Sequence, residues 1–489
     1  MKIADLRPVK CAHQYYVPIG NKNMEKKSPA EGKKYHFIGI GGVGTSALAA
    51  VLMKEKAIVS GSDAQDSVLT ERLSAGGATV KSGHTADNLP KEVDGVVISA
   101  AVKDDNPELV EARRRKIMVY KYAQMLGLVM DRYKGVAISG THGKSTTTGW
   151  LVYVLKKLGI EPNFVVGADI SQFGASSGIG SSDIFVAEAC EYDRSFLNLR
   201  PQIGIILNIE PDHLDYYSDI GEIVSAFGDF ANGIRTDGIL IAGGEDANVA
   251  KLIPALRDRH ILTFGLKDKF DYSANQIKLF PDRTEFTCFN KQREIGKAVI
   301  KLAGEHNVRN ALAVIAAAEA MGLDGKDVLG VLGGFEGMDR RVMKKAEING
   351  ITIYDDYAHH PTEIKASLKA MRQKYDGRKI FCVFQPHQYS RTRFLLKDFA
   401  ESFKLADMTI VPDIYFVRDT EKSKNEVNSQ MLVNAIKQKG SNAVFIDSFE
   451  KICDFLKDSV KSGDILITMG AGDVWKVADE YIQWLRRNS

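Results

Sequence analysis

Lys144 and Ser145 stand inside a glycine-framed run, Gly140-Thr141-His142-Gly143-Lys144-Ser145-Thr146, and those residue types in that order suit a phosphate group. The apolar stretch Gly135–Ser139 before the run predicts a short buried strand, and the apolar spacing of Trp150–Leu158 predicts a helix after it. Backbone N–H groups at such a helix start face an anion, and the helix dipole favours negative charge there. Lys144 would reach terminal phosphate oxygens, and Ser145 would offer a hydroxyl to Mg2+. Ile138 occupies the place of the first glycine of the full G-x-x-x-x-G-K-[ST] pattern, so the match is a shortened one. A helix that merely follows a glycine turn is the alternative.

A second glycine turn, Gly39-Ile40-Gly41-Gly42-Val43-Gly44, lies between a predicted strand from Tyr35 and a helix of small residues, Thr45–Met53. This arrangement lets a pyrophosphate approach the backbone, and Asp63, about twenty residues on, stands where an acid can hold ribose hydroxyls. NAD and a UDP-type pyrophosphate fit it equally, and close helix–strand packing without ligand fits it too. Two further predicted strands, Asp183–Ala187 and Ile203–Leu207, deliver Glu188 and the run Asn208-Ile209-Glu210-Pro211-Asp212-His213 at their carboxyl ends. Ligands of open parallel sheets bind at that edge, so Glu188 and His213 could converge on a hard cation beside Ser145. Asn307 and Asn310, three apart at the start of a predicted helix, share a face that suits both edges of a purine or simply caps the helix. Arg340-Arg341 is either a solvated pair or a phosphate clamp. The adjacent His359 and His360 diverge in helix and strand alike, which favours structural or substrate-contacting histidines over a zinc site.

The elements that must position these residues alternate strand and helix, predicting an α/β protein of three domains. Residues 1–34 form a polar arm, 35–134 a Rossmann-like domain, 135–341 a central P-loop sheet, and 342–489 a second Rossmann-like domain. Strands at Ile239–Gly243, Ile261–Phe264, Thr284–Phe289 and Lys297–Ile300 are expected in a smaller peripheral sheet of the central domain, and Ser171–Ser182 in a loop or hairpin. A net charge of +3 with interspersed signs gives no argument for nucleic acid or membrane. No apolar run reaches the ~18–20 residues of a transmembrane helix, and the first 32 residues lack a secretory apolar core. Five scattered cysteines fit free thiols in a reducing cytoplasm, so a cytoplasmic protein is expected.

The ordered blocks GIGGVG, GTHGKSTTT, EACEYDRSFL, NIEPDHLDYY, GEHNVRNALA, FEGMDRR, DDYAHHPTE and QPHQYSRT resemble the Mur ligase family over roughly Tyr35 to the C-terminus, and most closely its alanine-adding branch. The resemblance implies an ATP- and Mg2+-dependent joining of L-alanine to UDP-N-acetylmuramate through an acyl phosphate, in a cytoplasmic monomer or weak homodimer. It implies that Gly140, Thr141, His142, Gly143, Lys144, Ser145 and Thr146 hold ATP phosphates, and that Ser145, Glu188 and His213 bind metal. His306, Asn307 and Asn310 fall in the adenine block, and Arg341 and Asp356 match interdomain nucleotide contacts. Gly41, Gly42, Asp63 and His84 fall in UDP-sugar blocks, and Tyr357, His387 and Arg391 in the amino-acid pocket. The sequence departs from the branch at Gln388, where an Arg is common, and in EACEYD, whose Glu-Tyr-Asp is similar to the related ligase that attaches a recycled tripeptide. That tripeptide ligase is the alternative within the family. Outside it, an NAD-dependent oxidoreductase rests on Gly39–Gly44 alone and leaves the phosphate loop unexplained, and a nucleotide-binding regulatory protein would bind without ligating.

Overall fold

A computed structural model describes residues 30–488 apart from 418 and 420; most of the expected arm lies outside the described residues. Three sheets follow one another along the chain. In the first, β1 (Lys34–Ile38), β2 (Ile58–Asp63), β3 (Thr79–Ser82), β4 (Gly95–Ile98) and β5 (Val119–Lys121) pair in parallel in the order β3-β2-β1-β4-β5. The order reverses at β1, so the glycine turn that follows it opens into the crevice where a ligand of such a sheet sits.

The second sheet contains β6 (Lys134–Ser139), β7 (Asn163–Ile170), β8 (Ala175–Gly178), β9 (Ile184–Glu188) and β10 (Ile203–Ile206). It continues with β11 (Ile239–Gly243), β12 (His260–Gly265), β13 (Tyr272–Leu279), β14 (Thr284–Asn290) and β15 (Arg293–Ile300). Its order is β15-β14-β13-β12-β11-β10-β6-β9-β7-β8. The phosphate loop leaves β6 between β9 and β10, again at a switch point. The strands expected at the periphery do not stand apart. β11 and β12 extend the parallel core, β13 joins β12 in parallel over a short stretch, and β14 and β15 continue from β13 as an antiparallel extension. β11 is buried along its whole length, as a strand covered on both faces must be.

The third sheet takes β16 (Met343–Ile348), β17 (Ile351–Asp356), β18 (Ile380–Phe384), β19 (Met408–Val411), β20 (Ala443–Phe445) and β21 (Ile465–Met469) in the order β16-β17-β21-β18-β19-β20. β16 is an antiparallel edge strand with Lys344 and Lys345 in its middle, a polar pattern that hides it from hydrophobic periodicity and keeps the edge from pairing elsewhere.

The phosphate-loop helix, Lys144–Lys157, is held by the Ala-rich helix Glu305–Ala320, whose small side chains let the two approach closely. Trp150 is fully buried there, stacks on Phe335 at 5.2 Å and donates its indole N–H to the Leu332 carbonyl at 3.0 Å. Trp150→Ala empties that space and takes the shorter of two donors from the Leu332 carbonyl, leaving it only Phe335 N at 3.5 Å. It is expected to cost about 3–5 kcal/mol in urea unfolding, and Trp150→Phe, which keeps the stack, distinctly less.

Candidate active site

The phosphate loop is shaped by backbone that only glycine tolerates. Gly140 has φ 139°, and a Cβ on it would come within 2.9 Å of Leu207 Cβ. Asn208, at the end of β10, then clasps the loop from both sides. Its side-chain oxygen accepts from His142 N at 2.8 Å, its amide donates to the His142 carbonyl at 3.0 Å, and its own carbonyl accepts from Thr141 N. The Thr141 hydroxyl accepts from Glu210 N at 2.9 Å. No side chain caps the helix that begins at Lys144, which leaves its first-turn N–H groups for an anion.

Lys144 lies folded over its own loop, donating to the carbonyls of Gly140 (2.6 Å) and Thr141 (3.0 Å) and pairing with Glu191 at 3.0 Å. Burial works against its ammonium, but Glu191 and other acidic neighbours outweigh it and raise its pKa. Glu191 also stands 3.7 Å from His213 Nε2, so it bridges the loop lysine and the expected metal ligand. Glu188 ends β9 in register with Ile138 and accepts from Gly167 N at 2.6 Å. His213 adopts φ 54°, with its backbone N–H bonded to Asp212, and packs on Tyr192 at 5.0 Å. Ser145 is buried beside Lys144. A hydroxyl, carboxylates and one imidazole form a donor set that Mg2+ accepts.

The loops of the third sheet reach over this edge. Arg391 donates from Nε and Nη2 to one Asp212 oxygen at 3.0 and 2.8 Å, and both residues are buried. Burial alone would raise the Asp212 carboxyl, and Arg391 instead holds it well below the usual range. His360 Nε2 bonds the Pro211 carbonyl at 3.1 Å, and the Thr362 hydroxyl donates to Glu210. His142, in the phosphate loop, sits between Glu210 (3.5 Å) and Glu363 (3.3 Å) at ion-pair distance, its ring against His360. Burial opposes its charge, but the two carboxylates raise its pKa to about 9. Among the described residues, His142, Glu210 and His360 are the one group of three His, Cys, Asp or Glu whose ligand atoms lie within 4.8 Å of one another. The charge on His142, and the use of both His360 nitrogens by Pro211 and Thr362, make this group an ion-paired latch rather than a metal centre.

Arg341 enters from the link between the second and third sheets, flanked by Arg340 at φ 57° and Val342 at φ 49°. It stands 3.5 Å from Glu363, with its guanidinium 5.2 Å from the Tyr357 ring centre. Asp356 is buried and bonded by Ser367; burial pushes its carboxyl up to about 6 against the pull of Ser367 and Arg341. On the other side of the loop, a cleft of about 290 Å3 is lined by His142, Gly143, Asn208, Phe264, His306 and Asn310. Asn307 spends its carboxamide inside the helix: its amide donates to the Ala303 carbonyl at 2.8 Å and its oxygen accepts from Asn310 at 3.2 Å. The pair therefore does not present two open carboxamides to a base in this structure.

Three family patterns cover most of this framework. The pattern described as the Mur ligase family catalytic domain matches residues 34–134, the Mur ligase middle domain 138–318, and the Mur ligase glutamate ligase domain 340–472. The UDP-N-acetylmuramate–L-alanine ligase of Alkaliphilus metalliredigens is 44% identical over 91% of this chain and 96% of its own length. The chain belongs to the Mur ligase family. The enzyme of the same name from Clostridium novyi is 43% identical over 92% of this chain and 97% of its own. The crystal structure of the Thermotoga maritima UDP-N-acetylmuramate–alanine ligase superposes with TM-score 0.79 at 28% identity, covering 93% of this chain and all of that one (100%). A murein peptide ligase from Psychrobacter arcticus shares the fold, with TM-score 0.71 at 24% identity over 93% of this chain and 99% of its own.

As a Mur ligase, the chain brings its expected phosphate, metal and interdomain residues to facing loops, while Gly41, Gly42, Asp63 and His84 gather at the first sheet. There Asp63 grips Gly41 N at 2.8 Å instead of facing outward. In the expected amino-acid pocket His387 stacks on Tyr415 at 5.5 Å, and its Nδ1 lies 3.2 Å from Arg391 Nη1. Tyr357 lies between Arg340 and Arg341. Gln388, buried at φ 72°, leaves its amide nitrogen unpaired. Sequence reasoning singled out neither Asn208 nor Glu191, although both lie inside the polar runs after strand ends. Glu363 ends the DDYAHHPTE block, but nothing in the chain pairs it with His142, which it meets only through the packing of two domains.

The latch has a pH signature. A histidine raised from about 6.5 to about 9 stabilises the folded state fully below pH ~6.5, and that contribution is lost as pH rises through 9. Urea unfolding of the wild type is expected to show this loss, and His142→Gln to flatten it; equal slopes for both proteins would remove the ion pair from the account.

Proposed function

We propose that this chain is an ATP-dependent ligase that joins L-alanine to UDP-N-acetylmuramate in peptidoglycan precursor synthesis, acting in the cytoplasm. The observation that carries the reading is the near full-length identity, 44% over 91% of the chain, to a ligase of that name. The facing loops of the second and third sheets support it. In the proposed division, an arm of residues 1–34 precedes a UDP-sugar domain (35–134), an ATP domain (135–341) and an amino-acid domain (342–489). No described helix is long and apolar enough to cross a membrane.

The reaction gathers anions, so the protein's task is charge neutralisation and alignment. In the proposed sequence the lactyl carboxylate of the sugar attacks the γ-phosphorus, ADP leaves with the electrons of the broken bond, and an acyl phosphate forms. The amine of alanine then attacks the acyl carbon, and phosphate departs as the amine sheds its proton. Lys144 exchanges the carbonyls of Gly140 and Thr141 for phosphate oxygens without leaving Glu191. Ser145, Glu188 and His213 would hold Mg2+, which supplies Lewis-acid neutralisation of the phosphates when bound. Arg341 adds positive charge from the interdomain link. Arg391, with Nε and Nη2 tied to Asp212, would exchange the contacts of its Nη1 with His387 for the carboxylate of alanine. The contacts of His360, Thr362 and Arg391 across the crevice keep water from the acyl phosphate.

Phosphate release with UDP-N-acetylmuramate is expected with L-alanine and not with the tripeptide L-Ala-γ-D-Glu-meso-diaminopimelate; the reverse preference would move the chain to the tripeptide branch. Lys144→Ala is expected to lower kcat by about 10²–10³ while the nucleotide sugar still binds. Unchanged ADP release in that variant would sink the mechanism.

A further inference from the structure

Glu108 is fully buried in the first sheet's domain, yet it belongs to none of the motifs and has no part in the chemistry above. It sits in the first turn of the helix Pro107–Arg114, where Asn106 accepts from its backbone N–H at 3.0 Å, and its carboxylate turns in under the carboxyl ends of β1 and β2. Four donors converge on it. One oxygen is bonded to His36 Nε2 at 2.7 Å and the Ser62 hydroxyl at 2.8 Å. The other faces His84 Nδ1 at 3.1 Å and the Asn88 amide at 3.4 Å. His36 and Ser62 are themselves fully buried. Burial opposes the Glu108 charge, and the bonds from His36 and Ser62 outweigh it and hold the carboxyl below its ordinary range.

An ionised Glu108 has no proton to give, so every group around it must be a donor. Ser62 spends its hydroxyl hydrogen on Glu108, so the same oxygen can only accept from His84 Nδ1, 2.9 Å away. Two acceptors thus meet one ring nitrogen, and His84 must carry a hydrogen on Nδ1. Its Nε2 has no hydrogen-bond partner among the described residues, and the ring keeps 24% of its side-chain surface exposed. Ser62 also ties this arrangement to the glycine turn, because its carbonyl accepts from Gly39 N and Ile40 N. Gly83, just before His84, donates to the Asp63 carbonyl.

We infer that Glu108 is a positioning residue for nucleotide-sugar binding, fixing His84 through Nδ1 so that Nε2 meets the nucleoside diphosphate beside the glycine turn. The inference rests on the proposed UDP-sugar role of this domain. With Nδ1–H turned to Glu108 and Ser62, the ring presents its Nε2 edge to the diphosphate. The other titratable groups nearby are His36 of β1, on the far side of Glu108, and Asp63 of β2, which is turned to Gly41 N. Glu108 acts here as an outer carboxylate does behind a metal-bound histidine: it sets the tautomer and the ring plane.

The test combines histidine ring 15N spectra with steady-state kinetics on the full chain. In the wild type, His84 is expected to carry its hydrogen on Nδ1 both before and after UDP-N-acetylmuramate binds. Glu108→Gln can donate as well as accept, so it is expected to mix the tautomers. It should raise KM for the nucleotide sugar roughly tenfold, leaving KM for ATP and alanine and the saturated kcat within about twofold. His84→Gln, at a partly exposed position, should raise the same KM, and the double variant should do no more than the worse single one. A mixed tautomer in a wild type that binds the nucleotide sugar, or additive effects of the two substitutions, overturns the inference and leaves the ligase reading standing. A wild type that does not bind UDP-N-acetylmuramate overturns both. If Glu108→Gln fails to fold, the wild-type spectra and His84→Gln decide alone: a mixed tautomer or an unchanged KM counts against the inference.

Discussion

The Arg391–Asp212 fork is the interaction on which the candidate site depends. It joins a loop of the third sheet to a loop of the second with neither partner open to water. Removing one side of a buried pair strands the other charge, at a cost of about 3–5 kcal/mol, so the pair favours an arrangement in which both are present and facing. The softer contacts of the same seam, from His360 to the Pro211 carbonyl and from Glu363 to His142, become possible once the fork has set the distance. The fork uses the residue next to His213, so the seam between the domains and the proposed metal site share one short stretch of chain.

A second regularity runs through several of the proposed subsites: protein groups occupy one another's valences. Lys144 rests on its own loop carbonyls and Glu191, Glu188 holds Gly167 N, Asp63 holds Gly41 N, and Asn307 holds Asn310. Buried polar groups need partners, and each of these finds one nearby. At these residues substrate entry is then an exchange of hydrogen bonds, whereas the uncapped start of the phosphate-loop helix and His84 Nε2 offer open ones. The net gain per contact is correspondingly small, and selectivity comes from how many exchanges succeed together.

Much of this was legible in the chain. The two glycine turns, the strand ends at Glu188 and Asn208, and the three-sheet order all follow from local patterns of apolar runs and turn residues. What escaped has physical reasons. β13 mixes polar and apolar residues and breaks its ladder at a bulge near Gln276, and β16 is a lysine-bearing edge, so neither carries a clean period. β11 was expected at the periphery because a short buried strand reads the same in either place, and only its partners, β10 and β12, distinguish them. Glu363 and Glu108 act across 221 and 72 positions of sequence respectively, on His142 and His36 (363 − 142 and 108 − 36), where no spacing rule reaches.

Gly143 carries a further consequence. A Cβ there would lie 2.9 Å from the Asn310 oxygen, so the loop and the helix Glu305–Ala320 approach one another by the width of a missing methyl group. In the proposed ligase that helix borders the base cleft and the loop holds the phosphates. The glycine is therefore a ruler: it sets the span from base to phosphate chain. A side chain at this position would lengthen the gauge even if every binding residue remained in place.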